Sequence, residues 1–90
     1  MRFAHKGLQR LAEQDDARLM PQHLIRRIRR ILTELAAAQS ARDMELPGYR
    51  LHSLKGNRRG QWSMQVSGNW RLVFRFVDGE AVDVDLIDYH

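Results

Sequence analysis

Cysteine is absent from this chain of 90 residues. Disulfides and thiolate metal centres are thereby excluded, and the composition is in keeping with a reducing, cytoplasmic setting. No apolar run approaches the ~20 residues that a bilayer-spanning helix needs, so no membrane is expected as a partner. The opening stretch, "MRFAHKGLQRLAEQDD", is charged throughout and lacks the apolar centre of a secretory signal. Repeats, low-complexity tracts and internal linkers are missing as well, and residues 1–90 read as a single domain. A chain this short buries about 60–65% of its unfolded surface, which allows one core and no more.

Positive charge is what the chain does have. Lys+Arg number 15 against 11 Asp+Glu, a net +4, and all the cations but Lys6 and Lys55 are arginine. Such a balance favours phosphate-rich or acidic partners, although many small soluble proteins share it.

The first half has helical periodicity. Leu8 and Leu11 start an apolar stripe in "HKGLQRLAEQ", a short helix that Asp15 and Asp16 are expected to end. Pro21 suits the first turn of a longer helix. In "PQHLIRRIRRILTELAAA" the residues Leu24, Ile25, Ile28, Ile31, Leu32 and Leu35 recur on one face. Arg26, Arg27, Arg29 and Arg30 fill the rest of the circumference and read first as a solvated helix face. His5 and His23 read as structural.

After Pro47 and Gly48 the period changes to two. "QWSMQVS" sends Trp62, Met64 and Val66 one way; "NWRLVFRFV" does the same with Trp70, Leu72, Phe74 and Phe76; "AVDVDLI" follows with Val82, Val84 and Leu86. These are half-buried antiparallel strands. Keeping like faces together requires loops of Ser67–Asn69 and Asp78–Glu80, pairing Val66 with Trp70, Met64 with Leu72, Phe76 with Val82, Phe74 with Val84 and Leu72 with Leu86. An earlier strand, "YRLHSL", joins if Tyr49 and Leu51 face the core and Arg50 and His52 do not. The expected fold is α+β: two N-terminal helices packed on one face of a small, mainly antiparallel, twisted sheet. The other face, with Gln65, Arg71, Arg75, Asp83 and Asp85, stays open, and Arg75 is expected to pair with Asp83.

That face holds the candidate chemistry. His52, Lys55, Arg71 and Tyr89 belong to it; Asp88 and His90 have the other parity and reach it only if the chain twists after Ile87. RNA strand cleavage needs a base for the 2′-OH proton, an acid for the departing 5′ oxygen and cations for the charge on phosphorus oxygens. Imidazole, whose ordinary pKa is about 6.5, suits the proton steps. Guanidinium and ammonium groups suit the phosphate, and an exposed tyrosine ring can stack on a splayed base. No metal site and no cofactor is read from the residues. Trp62 and Trp70 belong to the apolar face and read as core. The turn "KGNRRG" is a tight connection first, with Arg58 and Arg59 as secondary backbone contacts; Arg50 and Arg75 join them as lesser RNA-binding candidates.

Several stretches together carry a resemblance: "FAHKGL" near the start, "LHSLKG" at 51–56, "WSMQVSGNWRLVF" at 62–74 and the terminal "DYH". As a set and in this order, the chain resembles the HigB branch of the RelE-type toxins, the toxin halves of bacterial toxin–antitoxin pairs, also labelled plasmid maintenance killer proteins. The resemblance implies a RelE-like fold and a metal-independent, ribosome-dependent endoribonuclease (an mRNA interferase) that cuts messenger RNA during translation. It implies the 70S ribosome and messenger as partners, a HigA-like helix-turn-helix antitoxin, and DNA only indirectly through that antitoxin. His52, Lys55, Arg71, Asp88, Tyr89 and His90 match the family's motif positions. On this reading His52 and Asp88 handle or orient the 2′-OH proton with His90 assisting, Lys55 and Arg71 hold the phosphate, and Tyr89 stacks on a base. The rival expectations are a gyrase-poisoning toxin on the same scaffold, and a non-catalytic RNA- or ribosome-binding module.

Overall fold

Helix α1, Lys6–Gln14, starts where the His5 ring supplies a cap: its Nδ1 accepts the Leu8 N–H at 3.1 Å. It stops where Asp15 enters the left-handed region at φ 54, and the Arg29 guanidinium of the next helix pairs with the Asp15 carboxylate. His5 is therefore a structural cap, as expected from the sequence. Gly7 is required by close packing. A Cβ there would stand 2.9 Å from both the His5 ring and the Met20 sulfur and 3.1 Å from the Leu19 carbonyl oxygen. The computed structural model describes residues 1–89; the candidate site residue His90 lies outside them.

Pro21 caps a short 3₁₀ turn, Gln22–Leu24, which leads directly into α2, Ile25–Ala37. Ile28, Ile31, Leu32 and Leu35 of α2 are buried, as the period predicts, and Ile25 is half-buried. They pack with Leu8 and Leu11 of α1 on the apolar face of a sheet built from β1 (His52–Ser53), β2 (Trp62–Ser67), β3 (Trp70–Val77) and β4 (Glu80–Asp88). The spatial order follows the chain order and every pairing is antiparallel. Trp62 and Trp70 pack against this core from its margin.

Both hairpin loops are shorter than the parity of the apolar residues demands. Val77 pairs with Glu80 across Asp78 and Gly79, both at positive φ (52 and 76), the backbone of a two-residue turn whose twist matches that of the strands. The mismatch is absorbed inside β4. Val73 pairs with Asp85 and Arg75 with Val82, so Phe74 faces Asp83 and Val84 together, a bulge with Asp83 at φ 52. Phe76 pairs with Ala81 rather than Val82, which turns Val82 to the face away from the helices. Beyond the bulge the expected Leu72–Leu86 pair is recovered. The β2–β3 hairpin repeats the device. Ser67 pairs with Trp70 across Gly68 and Asn69, Val66 is the extra residue, and Met64 still meets Leu72.

Two other features differ from expectation. The first strand is only His52–Ser53, because Tyr49 lies in a turn and Arg50 takes φ 50. And the N-terminal segment runs parallel to β4: Arg2 N–H to Ala81 O (3.0 Å), Ala4 N–H to Val84 O (2.8 Å), Val84 N–H to Arg2 O (3.0 Å). The Met1 ammonium closes this strap on Glu80 at 2.6 Å and holds that carboxyl below its usual range. Among the described residues no helix is long and apolar enough to cross a membrane.

Because the Leu19 carbonyl is backbone and cannot swing aside, Gly7→Ala is expected to destabilise the fold by about 1–3 kcal/mol, the usual cost of overpacking. Thermal unfolding of the two chains side by side measures it.

Candidate functional site

The turn that feeds β1 is held by an arginine on a helix. Arg27 Nη2 donates to the carbonyls of Gly48 (3.0 Å) and Gln65 (3.2 Å), and its guanidinium lies 5.0 Å from the centre of the Tyr49 ring. Tyr49 donates its hydroxyl to Glu34, and Gln65 N–H bonds Tyr49 O at 2.7 Å. Gly48, at φ 87, gives the sharp bend. Within the RRIRR run, then, Arg27 clamps the turn, Arg29 pairs with Asp15 and Arg30 with Glu34 at 3.4 Å; among the described residues Arg26 has no such partner. Arg26, Arg29 and Arg30 are exposed, the solvated face expected from the sequence, and Arg27 is the one drawn into the fold.

From this turn the chain passes through Arg50 into His52. The His52 Nδ1 stands 3.1 Å from the Arg50 carbonyl oxygen. A carbonyl only accepts, so Nδ1 donates here, and a ring in its neutral form on this bond has Nε2 as its basic nitrogen. His52 is registered with Ser63, Ser63 with Val73 and Val73 with Asp85. Directly opposed residues share a face, so His52 heads a row crossing the sheet on the side away from the helices. The adjacent row is Gln65, Arg71 and Ile87. With strands about 4.8 Å apart and about 6.7 Å between alternate residues, the Cα atoms of His52 and Arg71 lie about 12 Å apart. Two side chains of their length can meet on one phosphate across that gap.

Arg71 is aimed by backbone alone. Its Nη1 donates to the carbonyls of Gly68 (2.8 Å) and Trp70 (3.2 Å), and among the described residues no ion pair engages it. Carbonyls orient a guanidinium without cancelling its charge, which leaves Arg71 suited to an anion. Arg75 differs. The expected pair with Asp83 forms at 3.5 Å, through the bulge rather than direct opposition, and Arg75 Nη1 sits where a Cβ on Gly60 would be only 2.8 Å away. Its charge is already answered, so Arg75 is the weaker anion contact.

The remaining candidates are distributed around this centre. Tyr89 follows β4, its N–H bonded to Asn69 O at 2.8 Å; strand alternation puts it on the Arg71 face, and it is 37% exposed. Asp88 is registered with Trp70, with no irregularity between Ile87 and Asp88, so it keeps the opposite face at the end of the sheet. Lys55 is exposed just past β1, leading into a 3₁₀ turn, Gly56–Arg58. It stands on the far side of His52 from Arg71. Arg58 donates to the Gln61 side chain at 3.1 Å, while Arg50 and Arg59 are exposed. The structure thus brings His52, Arg71 and Tyr89 to one face, flanks them with Lys55, and leaves Asp88 at the margin. Among the described residues no group of three or more His, Asp or Glu side chains stands ready to hold a metal ion.

Ser63 was legible only as one more polar residue of the open face. Yet it is 0% exposed, its hydroxyl has no hydrogen-bond partner, and its row neighbour Val73 is buried too. An unsatisfied buried hydroxyl costs about 1–3 kcal/mol.

Burial, reinforced by the Glu34 hydrogen bond, pushes the Tyr49 phenol from its ordinary 10.0 up to about 12. The folded chain therefore holds this proton more tightly than the unfolded one, and the resulting stability is whole below pH 10.0 and is lost as the pH climbs towards about 12. Denaturant titrations across that range are expected to show a decline in the intact chain that Tyr49→Phe removes.

The whole chain also has measurable relatives. A family model described as a RelE-like toxin of the type II toxin–antitoxin system HigB matches residues 1–90. A protein named Endoribonuclease HigB, from Proteus vulgaris, is 38% identical over 88 residues, covering 98% of this chain and 96% of its own. Another, named Toxin HigB-1, from Vibrio cholerae serotype O1, is 36% identical over 88 residues, covering 96% of this chain and 93% of its own. With the match running from end to end, on a chain whose helices and four-stranded sheet carry the motif residues in order, this protein belongs to the HigB-like, RelE-like toxins of type II toxin–antitoxin systems.

Proposed function

We propose that this toxin is an endoribonuclease that cuts messenger RNA on the translating ribosome and is silenced by its cognate antitoxin. The single observation that carries the reading is the His52 imidazole, with Nε2 left basic, facing the same way as the carbonyl-anchored Arg71 guanidinium. The name Endoribonuclease HigB, borne by the Proteus relative, supports it.

The chemistry follows from what each group can do. His52 Nε2 takes the 2′-OH proton as that oxygen attacks the adjacent phosphorus, and Arg71 with Lys55 neutralises the charge that develops on the phosphorus oxygens. Tyr89 stacks on a base splayed out of the messenger. Asp88, at the end of the sheet and on the opposite face, joins the proton transfer only where the chain end turns on the bound messenger. The acid that protonates the 5′ oxygen is assigned to this same terminal group of residues, which on the family pattern includes His90. The open face is shallow, and aligning a flexible strand on it is the task the ribosome would perform; proximity and orientation alone are worth several powers of ten in rate. Lys55, Arg58 and Arg59 lie towards one end of the track, Arg71 towards the other.

The test is a translating extract in which new 5′ ends of messenger are mapped. The intact chain is expected to produce them, and His52→Ala and Arg71→Ala each to lower the cleavage rate by about a hundredfold or more, as for loss of a proton-transfer or charge-stabilising group. Absence of new ends with the intact chain, or unimpaired cleavage by both variants, sinks the reading. A supercoiling assay run beside it is expected to show gyrase unaffected.

A further inference from the structure

Among the described residues only two buried side-chain atoms lack a hydrogen-bond partner, Arg27 Nε and Ser63 Oγ. The first has a ready explanation. Arg27 already makes two carbonyl bonds and stacks on Tyr49, and its spare N–H is the by-product of that clamp. The Ser63 hydroxyl makes no hydrogen bond to any described residue. Its row neighbour on β3 is the buried Val73, which offers the hydroxyl no partner. Alanine at 63 would remove the orphan without changing the shape of the strand. A buried polar group that weakens the resting fold points to a partner acquired in another state of the molecule.

Only one chemistry-bearing side chain lies directly across the strand from it. Ser63 and His52 are Cα partners, which sets their Cβ atoms about 4.5–5.5 Å apart. In the resting chain the His52 ring leans along its strand to the Arg50 carbonyl. Catalytic hydrogen bonds are often incomplete before substrate arrives and tighten in the complex.

We infer that Ser63 is a positioning residue for His52: when messenger occupies the face, the imidazole settles across the strand and the Ser63 hydroxyl bonds to it, fixing the ring for proton transfer. This rests on the ribonuclease reading above. The hydroxyl oxygen suits the role because it can accept from Nδ1–H in place of the Arg50 carbonyl, which leaves Nε2 open to take the proton. Ser63 touches neither substrate nor phosphorus. It acts through the histidine.

Ser63→Ala and Ser63→Thr in the full chain, assayed on programmed ribosomes beside the intact protein, test this. Ser63→Ala is expected to melt no lower than the intact chain, to bind ribosomes equally well, and to cut about ten- to a hundredfold more slowly at saturation, the scale of a misplaced reacting group. Ser63→Thr, which keeps the hydroxyl, is expected to restore most of the rate. Cleavage by Ser63→Ala at the intact rate overturns the inference while leaving the ribonuclease reading standing. So does a slow Ser63→Ala that has also lost stability, or a folded Ser63→Thr as slow as Ser63→Ala. An intact chain that cuts nothing removes both.

Discussion

The Arg27 guanidinium is the contact on which the site depends. It reaches from α2 to the carbonyls of Gly48 and Gln65 and lies over the Tyr49 ring, whose hydroxyl returns to α2 through Glu34. One side chain thereby ties the helix layer, the β2 edge and the turn entering β1 to one another. Lysine is a poor replacement, since an ammonium has no planar face to lay on the Tyr49 ring while it donates to the carbonyls. The geometry of His52 is inherited from this arrangement. With the turn fixed and Arg50 at φ 50, the Arg50 carbonyl points back at the imidazole and decides which nitrogen bears the proton.

A second constraint is the pair of bulges. Each hairpin takes the tight turn that its glycine favours, and each pays back the resulting mismatch with one extra residue, Val66 in β2 and Asp83 in β4. The bulge at Asp83 sends Val82 outward, while Asp83 still reaches Arg75. Arg75 is thus occupied and Arg71 is not, although the two arginines look equivalent in "NWRLVFRF". The difference between an ion-paired arginine and one held by carbonyls alone among the described residues arises from the strand beside them.

Periodicity made the helices legible, including which faces of α1 and α2 are buried, because a repeat of 3.6 residues leaves a stripe that survives local irregularity. The two faces of the sheet were legible from their period of two, except at Val82, which the β4 bulge turns away from the helices. Hairpin lengths were not: parity reasoning treats strands as unbroken, whereas Asp78–Gly79 is itself a strong short-turn signal and outweighs alternation when a bulge can absorb the slip. The short β1 was misjudged because nothing in "GYRLHS" announces that Arg50 adopts a left-handed backbone. At the site, His52, Arg71 and Tyr89 could be assigned to one face from alternation, and Asp88 to the other. The strap of residues 2–4 along β4 and the buried hydroxyl of Ser63 could not, since each depends on neighbours remote in sequence.

That strap has a bearing on solution behaviour. Sheets with long bare rims invite a second molecule to add a strand, which is how orderly chains become fibres. Here one rim is covered by the chain's own first residues, locked by the Met1–Glu80 pair, and the other is a strand of only His52–Ser53 beside a kinked turn. Neither offers a ladder long enough to template growth, so the chain's own backbone guards it against strand-by-strand self-assembly.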